Sequence, residues 1–239
     1  MPEEKPSQKK EGRLFIIATP IGNLEDISFR ALRILREVSL IACEDTRETV
    51  KILNKYGIKK RLLSYFHPRE HSKIPKIIGI LREGHDVALV SDAGTPGIAD
   101  PGFPLIREAL KHEITVIPVP GPSAITAALS ASGLPTHKFL FLGFPSPKKV
   151  TARKTLESLK SEAATLVFYL PSRKLPFFLE LVQEVLGNRR VVMARELTKI
   201  HEEFLRGTPT ELLRSLKNRT LKGELTILIE GKQKKSLMA

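Results

Sequence analysis

The chain has one cysteine, Cys43, and no tryptophan among its 239 residues. A lone cysteine forms no internal disulfide and builds no cysteine-based zinc site, so a secreted disulfide scaffold is excluded. Aromatic residues make up only 6% of the chain, too few for the row of stacking platforms that grips single-stranded nucleic acid. No apolar run approaches the roughly 18 residues of a membrane-spanning helix. The opening segment, MPEEKPSQKKEG, is polar and lacks the apolar middle of a signal peptide, so a cytoplasmic protein is the simplest expectation. Two nucleotide-binding signatures are missing as well. G-x-x-x-x-G-K-[ST] occurs nowhere, and no G-x-G-x-x-G follows the first strand-like run. A phosphate-loop ATPase is therefore unsupported.

Acidic residues are also in short supply, 26 against 39 Lys and Arg, for a formal net charge of +13. That excess fits a polyanionic partner, most simply RNA or DNA, and fits equally a generally basic soluble protein. The basic residues cluster at Lys59, Lys60 and Arg61, at Lys148, Lys149, Arg153 and Lys154, and at Arg214, Lys217, Arg219 and Lys222. Any such cluster is more often a solvated face than a phosphate contact. The set Lys148–Lys154 is the preferred RNA-binding candidate because FPSPKK reads as a flexible loop. In HPREH, His67 and His71 are spaced four apart, but Pro68 disfavours helical geometry at His67, and no further ligands are at hand; no metal is expected.

What is present in quantity is apolar patterning. Hydrophobic residues form 41% of the chain, enough for a packed core. Strand-like runs RLFIIAT, SLIACED, RLLSYF, DVALVSD and ITVIPV alternate with helical patterns in the first half. One of these, SFRALRILREV, places Ala31, Leu32, Leu35 and Val38 on one face. Pro75 falls within another, where a kink or interruption is expected. Strands alternating with helices predict a mainly parallel sheet covered on both sides. VPGPS, at 119–123, is the expected domain boundary. Beyond it, RRVVMAREL and EEFLRGT are separated by too few residues for a helical crossover, which predicts an antiparallel pair and a mixed sheet. The expected organisation is two α/β domains, 13–120 and 121–232, with disordered tails at 1–12 and 233–239.

Three loops at strand carboxyl ends are rich in Gly and Pro: ATPIGN, SDAGTPG and VPGPSA. A parallel sheet brings such ends to one edge, where α/β proteins bind their ligands. A single loop of this kind is no more than a turn between strand and helix. Linked, they predict a small-molecule cradle built largely from backbone groups.

ATPIGNLEDI, ACEDTR, SDAGTPGIADPG, VPGPSA, and finally ARELTKIHEE with KGE, taken in this order and spacing, resemble the tetrapyrrole methylase superfamily, and within it the branch acting on small-subunit rRNA. The resemblance runs from about Leu14 to Ile229. It implies two α/β domains with S-adenosylmethionine in a cleft between them, in a homodimer. It implies methylation of a cytidine ribose 2′-hydroxyl in 16S rRNA near the decoding centre, with 16S rRNA or the small ribosomal subunit as partner. Carried over by motif, the cofactor-binding candidates are Pro20, Asp92, Ala93, Gly94, Ser123, Ala124, Leu170 and Ala194.

A neutral ribose hydroxyl is a poor nucleophile, so a base or cation near it should help remove its proton. The candidates are Glu44, Asp45 and Arg47 in ACEDTR, and Glu196 and Lys199, with Arg195, in ARELTK. Asp45 or Thr46 could instead cap the following helix. Two other readings stand beside this one. A small-molecule methylase acting on a tetrapyrrole precursor would have no need of such widely spread positive charge. A non-enzymatic RNA-binding assembly factor would have no need of the linked glycine loops.

Overall fold

A computed structural model describes residues 11–217, 219 and 221–233. The expected tails fall mostly on 1–10 and 234–239, outside the described residues. Within the first of them, Gly12 is buried and its N–H donates to the Leu81 carbonyl at 2.7 Å; a Cβ there would collide with the His85 backbone. The chain divides into two compact units that meet in sequence between Ser123 and Ala124.

The first unit has five strands: β1 (Leu14–Ile17), β2 (Leu40–Cys43), β3 (Leu62–Ser64), β4 (Val87–Val90) and β5 (Val116–Val119). They form one sheet in the order β3-β2-β4-β1-β5, with every neighbouring pair parallel. The central strands LFII, LIAC and VALV are buried at every position. This explains their unbroken apolar character, because a sheet covered on both faces has no polar side to alternate with.

The covering layers are helices α1 (Phe29–Glu37) and α2 (Thr46–Lys55) on one face, and α3 (Glu70–Arg82) and α4 (Phe103–Lys111) on the other. Phe15 and Ile17 join the core with Ala31, Leu35 and Ile52, whereas Leu14 and Ile16 join Ile77, Leu81 and Leu105. Period-two alternation along one strand thus feeds two cores. Ser28 caps α1, its Oγ accepting from the Ala31 N–H at 3.1 Å. The expected interruption at Pro75 does not occur: α3 runs unbroken from Glu70 to Arg82. Pro75 lies on the exposed side, where its ring faces solvent and only one backbone donor is forfeited.

The second unit begins with α5 (Ala124–Ser132) and continues through β6 (Phe139–Phe141), α6 (Lys149–Ser158), β7 (Thr165–Pro171), α7 (Leu175–Leu186), β8 (Val191–Arg195), β9 (Glu203–Gly207), α8 (Pro209–Leu216) and β10 (Glu224–Ile229). Its sheet has the order β6-β7-β10-β8-β9. β6 and β7 are parallel and the remaining pairs antiparallel, so the sheet is mixed as the sequence predicts. The expected β8–β9 pair is present, in register from Val191 opposite Gly207 to Arg195 opposite Glu203. Phe168, Leu170, Met193 and Ile227 face a core shared with α6, α7 and α8. The Arg206 guanidinium donates to the Ala131 and Ser132 carbonyls at 2.6 and 3.2 Å, satisfying the C-terminal end of α5. Among the described residues, no helix is long and apolar enough to cross a membrane.

Candidate active site

The three Gly/Pro loops follow β1, β4 and β5, which are adjacent in the order β4-β1-β5 and all parallel. Their carboxyl ends therefore share one edge, as the sequence predicts. The loops are also bonded to one another. The Thr19 N–H donates to the Gly94 carbonyl at 2.8 Å, and the Gly94 N–H returns the bond to Thr19 at 3.0 Å. The buried Thr19 hydroxyl donates to the Ser91 carbonyl at 2.9 Å. Gly102 ends the second loop at φ +150°, where a Cβ would come within 3.1 Å of both Leu89 and the Gly97 N–H group. Only glycine accepts that conformation and that proximity.

ACEDTR follows β2, the neighbour of β4, so its acids reach the same edge. The Asp45 N–H donates to Asp92 Oδ1 at 2.9 Å, joining this loop to the glycine loop. Asp45 itself caps α2, accepting from the Arg47 N–H at 2.8 Å and pairing with the Arg47 guanidinium at 2.6 Å. These bonds hold the Asp45 carboxyl down to about 2. Asp45 and Arg47 are thus spent on each other and on the helix start. Glu44 is different. Burial pushes its carboxyl above the ordinary range, and the charge of Asp92 pushes the same way. Asp92 is raised too, chiefly by burial, despite the bond from Asp45. Two half-buried acids held above their ordinary range would both be relieved by a ligand carrying positive charge.

Of the other cofactor candidates, Pro20 and Gly94 are buried in the joined loops, Ala93 is exposed beside Asp92, and Ser123 ends the loop after β5. Ala124 opens α5. Leu170 packs into the second unit's core from β7, and Ala194 is buried on β8, so any ligand contact from either would have to come through the backbone. Glu196 and Lys199 lie just beyond β8 and pair with each other at 3.1 Å, while Arg195 pairs with Glu203 at 3.2 Å. Gly223 of KGE packs against the Glu196 carboxylate, with which a Cβ would collide, so these two distant motifs form one corner.

Among the RNA-binding candidates, Lys148 precedes α6, and Lys149, Arg153 and Lys154 lie on it. The flexible loop expected here thus ends at Lys148. Lys148, Lys149 and Lys154 are exposed, but Arg153 pairs with Glu157 at 3.6 Å and with Glu184 of α7. Lys60 donates to the Val38 carbonyl at 2.7 Å and Arg219 pairs with Glu203 at 2.7 Å, so both have local duties. Among the described residues, no group of three or more His, Cys, Asp and Glu side chains is placed to hold a metal ion.

Sequence reasoning missed Thr19 and Glu70. Thr19 carries a faint signal, a hydroxyl residue directly after an apolar strand. Glu70 carries none: it stands in the polar segment HPREH, yet it is buried.

Comparison with known proteins places this chain in a class of methylases. The chain belongs to the tetrapyrrole (corrin/porphyrin) methylase family, whose family model matches residues 13–213. Its relatives include the ribosomal RNA small subunit methyltransferase I of Thermotoga maritima, 47% identical over 93% of this chain and 100% of that one. The protein of the same name from Bacillus subtilis is 41% identical over 92% of this chain and 75% of its own length. Among solved structures, a cobalt precorrin-4 methyltransferase is similar at a TM-score of 0.68 and 17% identity, covering 95% of this chain and 97% of its own. The uroporphyrin-III C-methyltransferase of Thermus thermophilus gives 0.64 at 19% identity, covering 92% and 94%. At such identities these structures speak for the fold alone.

Proposed function

We propose that this protein transfers a methyl group from S-adenosylmethionine to the ribose 2′-hydroxyl of a cytidine in 16S rRNA near the decoding centre. One observation carries the reading: the Thermotoga relative named for small-subunit rRNA methylation matches nearly half the residues along its entire length. The motifs of the cofactor edge lie inside that match. The sugar, the nucleotide and its position come from the resemblance of the linked motifs to the rRNA branch. In the same reading the protein works in the cytoplasm as a homodimer.

The residues fit this donor. S-adenosylmethionine supplies an already activated methyl group on a positively charged sulfur. The Glu44–Asp92 pair offers negative charge at the edge where the loops after β1, β4 and β5 converge, and both acids are held above their ordinary range. The remaining proposed donor contacts are Pro20, Ala93, Gly94, Ser123, Ala124, Leu170 and Ala194. Lys148, Lys149 and Lys154 are the proposed phosphate contacts, whereas Arg153 of the same cluster is held by Glu157 and Glu184. The protein's main task is to align donor and acceptor in line, since the donor needs no further activation.

The test uses small subunits purified from cells lacking this modification. Incubation with the protein and labelled S-adenosylmethionine is expected to place one methyl group on a cytidine ribose, mapped by mass spectrometry of nuclease fragments. Label on a base, or label only on a uroporphyrinogen or precorrin substrate offered in parallel, would sink the reading.

A further inference from the structure

The loop after β3 reaches the same sheet edge. β3 is parallel to β2, and the Tyr65 N–H donates to the Cys43 carbonyl at 2.8 Å, directly before Glu44. Two residues on, His67 is exposed at 68% of its side chain. Its Nδ1 lies 2.8 Å from Oε1 of Glu70, whose side chain is only 1% exposed. Among the described residues neither Glu70 oxygen has a hydrogen-bond partner of good geometry, so the His67 contact is one of proximity and charge. The neighbouring Tyr65 hydroxyl is buried as well, and burial together with the charge of Glu70 pushes it upward.

A buried carboxylate with so little compensation is costly. Its near neighbours are the buried Tyr65 hydroxyl and the surface-pointing His67 imidazole, and only the imidazole reaches solvent. A carboxylate at Nδ1 holds the proton on that nitrogen, leaves Nε2 as a lone-pair acceptor, and stabilises the cation formed when Nε2 takes a proton. His67 is also close enough to Glu44 to act on its carboxylate, which ties the histidine to the acids of the cofactor edge.

We propose that His67, oriented by the buried Glu70, is the base that takes the proton from the acceptor hydroxyl during methyl transfer. The proposal rests on the functional reading above. In the step, the ribose O–H bond breaks and its proton passes to Nε2 of His67. The hydroxyl oxygen forms the new bond to the methyl carbon as the carbon–sulfur bond breaks, its electron pair returning to sulfur to leave a neutral thioether. Imidazole suits this task because its ordinary titration lies near neutral pH. Glu44 lies near enough to add a second negative charge to the surroundings of the resulting imidazolium. Glu70 is a positioning residue, acting only through the ring.

The experiment compares the parent with His67→Ala and Glu70→Gln, using unmodified small subunits and labelled donor. Calorimetric titration of S-adenosylmethionine into each variant checks that the fold and donor site are retained. His67→Ala is expected to lower kcat about 100-fold or more, with KM for the subunit and donor affinity unchanged, and added imidazole is expected to restore at least about a tenth of the loss. Glu70→Gln is expected to lower kcat less, again without moving KM. A readout independent of turnover is the nitrogen NMR signature of the His67 ring in the parent. It should show a protonated Nδ1 and an unprotonated Nε2, and Glu70→Gln should mix the tautomers. Parent-like kcat in His67→Ala, or a parent ring protonated mainly at Nε2, overturns the assignment of His67 alone. A parent that labels no rRNA ribose overturns the functional reading, and the assignment with it.

Discussion

At the scale of single residues, the cofactor edge separates acids that look equivalent in ACEDTR. Asp45 is committed to the start of α2 and to Arg47. Glu44, one residue earlier, has no such partner set and is held above its ordinary range by burial and by Asp92. The consequence for stability has a definite sign. A carboxyl whose folded pKa is raised favours folding below its unfolded pKa, about 4.3, and that favour is lost as pH rises through the folded value. Near neutral pH the ionised Glu44 therefore works against the fold, a cost typical of residues kept for function. Glu44→Gln is expected to be at least as stable as the parent at pH 7, with the difference shrinking as pH falls into the carboxylate range. Urea unfolding of both proteins across pH checks this; a Gln variant clearly less stable at pH 7 would contradict it. Cys43, buried beside these acids and pushed up to about 11, stays a thiol and belongs to the core.

At the scale of elements, the edge is rigid because neighbouring strand ends are tied together. The Thr19 hydroxyl is buried and donates to the Ser91 carbonyl, holding the end of β1 to the end of β4. Thr19→Val keeps the shape and removes the donor, leaving a buried carbonyl without this bond. The expected loss is about 1–2 kcal/mol, read as a shift in the urea midpoint. Faster hydrogen exchange at the Thr19 and Gly94 amides should accompany it, since those two amides bond each other's carbonyls. Unchanged exchange there would mean that the loops hold together without the hydroxyl.

The elements also show how far sequence alone reaches. LFII, LIAC and VALV are legible as strands because burial on both faces demands unbroken apolar runs. The shared edge of the three glycine loops follows from parallel pairing. Residues whose role depends on burial by distant elements are not legible. Glu70 reads as one more surface charge, and only the packing around α3 makes it a buried carboxylate facing His67. Pro75 reads as a breaker, and only its place on the exposed side of α3 lets the helix continue. The helical stretch that carries Lys149, Arg153 and Lys154 presents just Ala152 and Leu156 to the core, too thin a stripe to stand out between lysines. The pairing of Glu196 with Gly223 joins motifs far apart in sequence, and nothing local announces it.

At the scale of the whole molecule, the question is how the net charge of +13 meets a polyanion. Charge spread evenly would attract RNA without choosing a contact. The ion pairs remove some candidates: Arg219 serves Glu203, and Arg153 lies between Glu157 and Glu184. Lys148, Lys149 and Lys154 are exposed at the start of α6. Each phosphate neutralised releases condensed counterions, so the logarithm of the binding constant falls with the logarithm of salt by about 0.7–0.9 per contact. Replacing the three lysines by alanine is expected to weaken binding to unmodified small subunits and to reduce that slope by about 2. Arg153→Ala should leave the slope unchanged, because its charge is already balanced within the fold. Filter-binding titrations over a series of salt concentrations separate the two. An unchanged slope in the triple variant would move the RNA contact away from α6 and leave the basic excess to act through the other clusters.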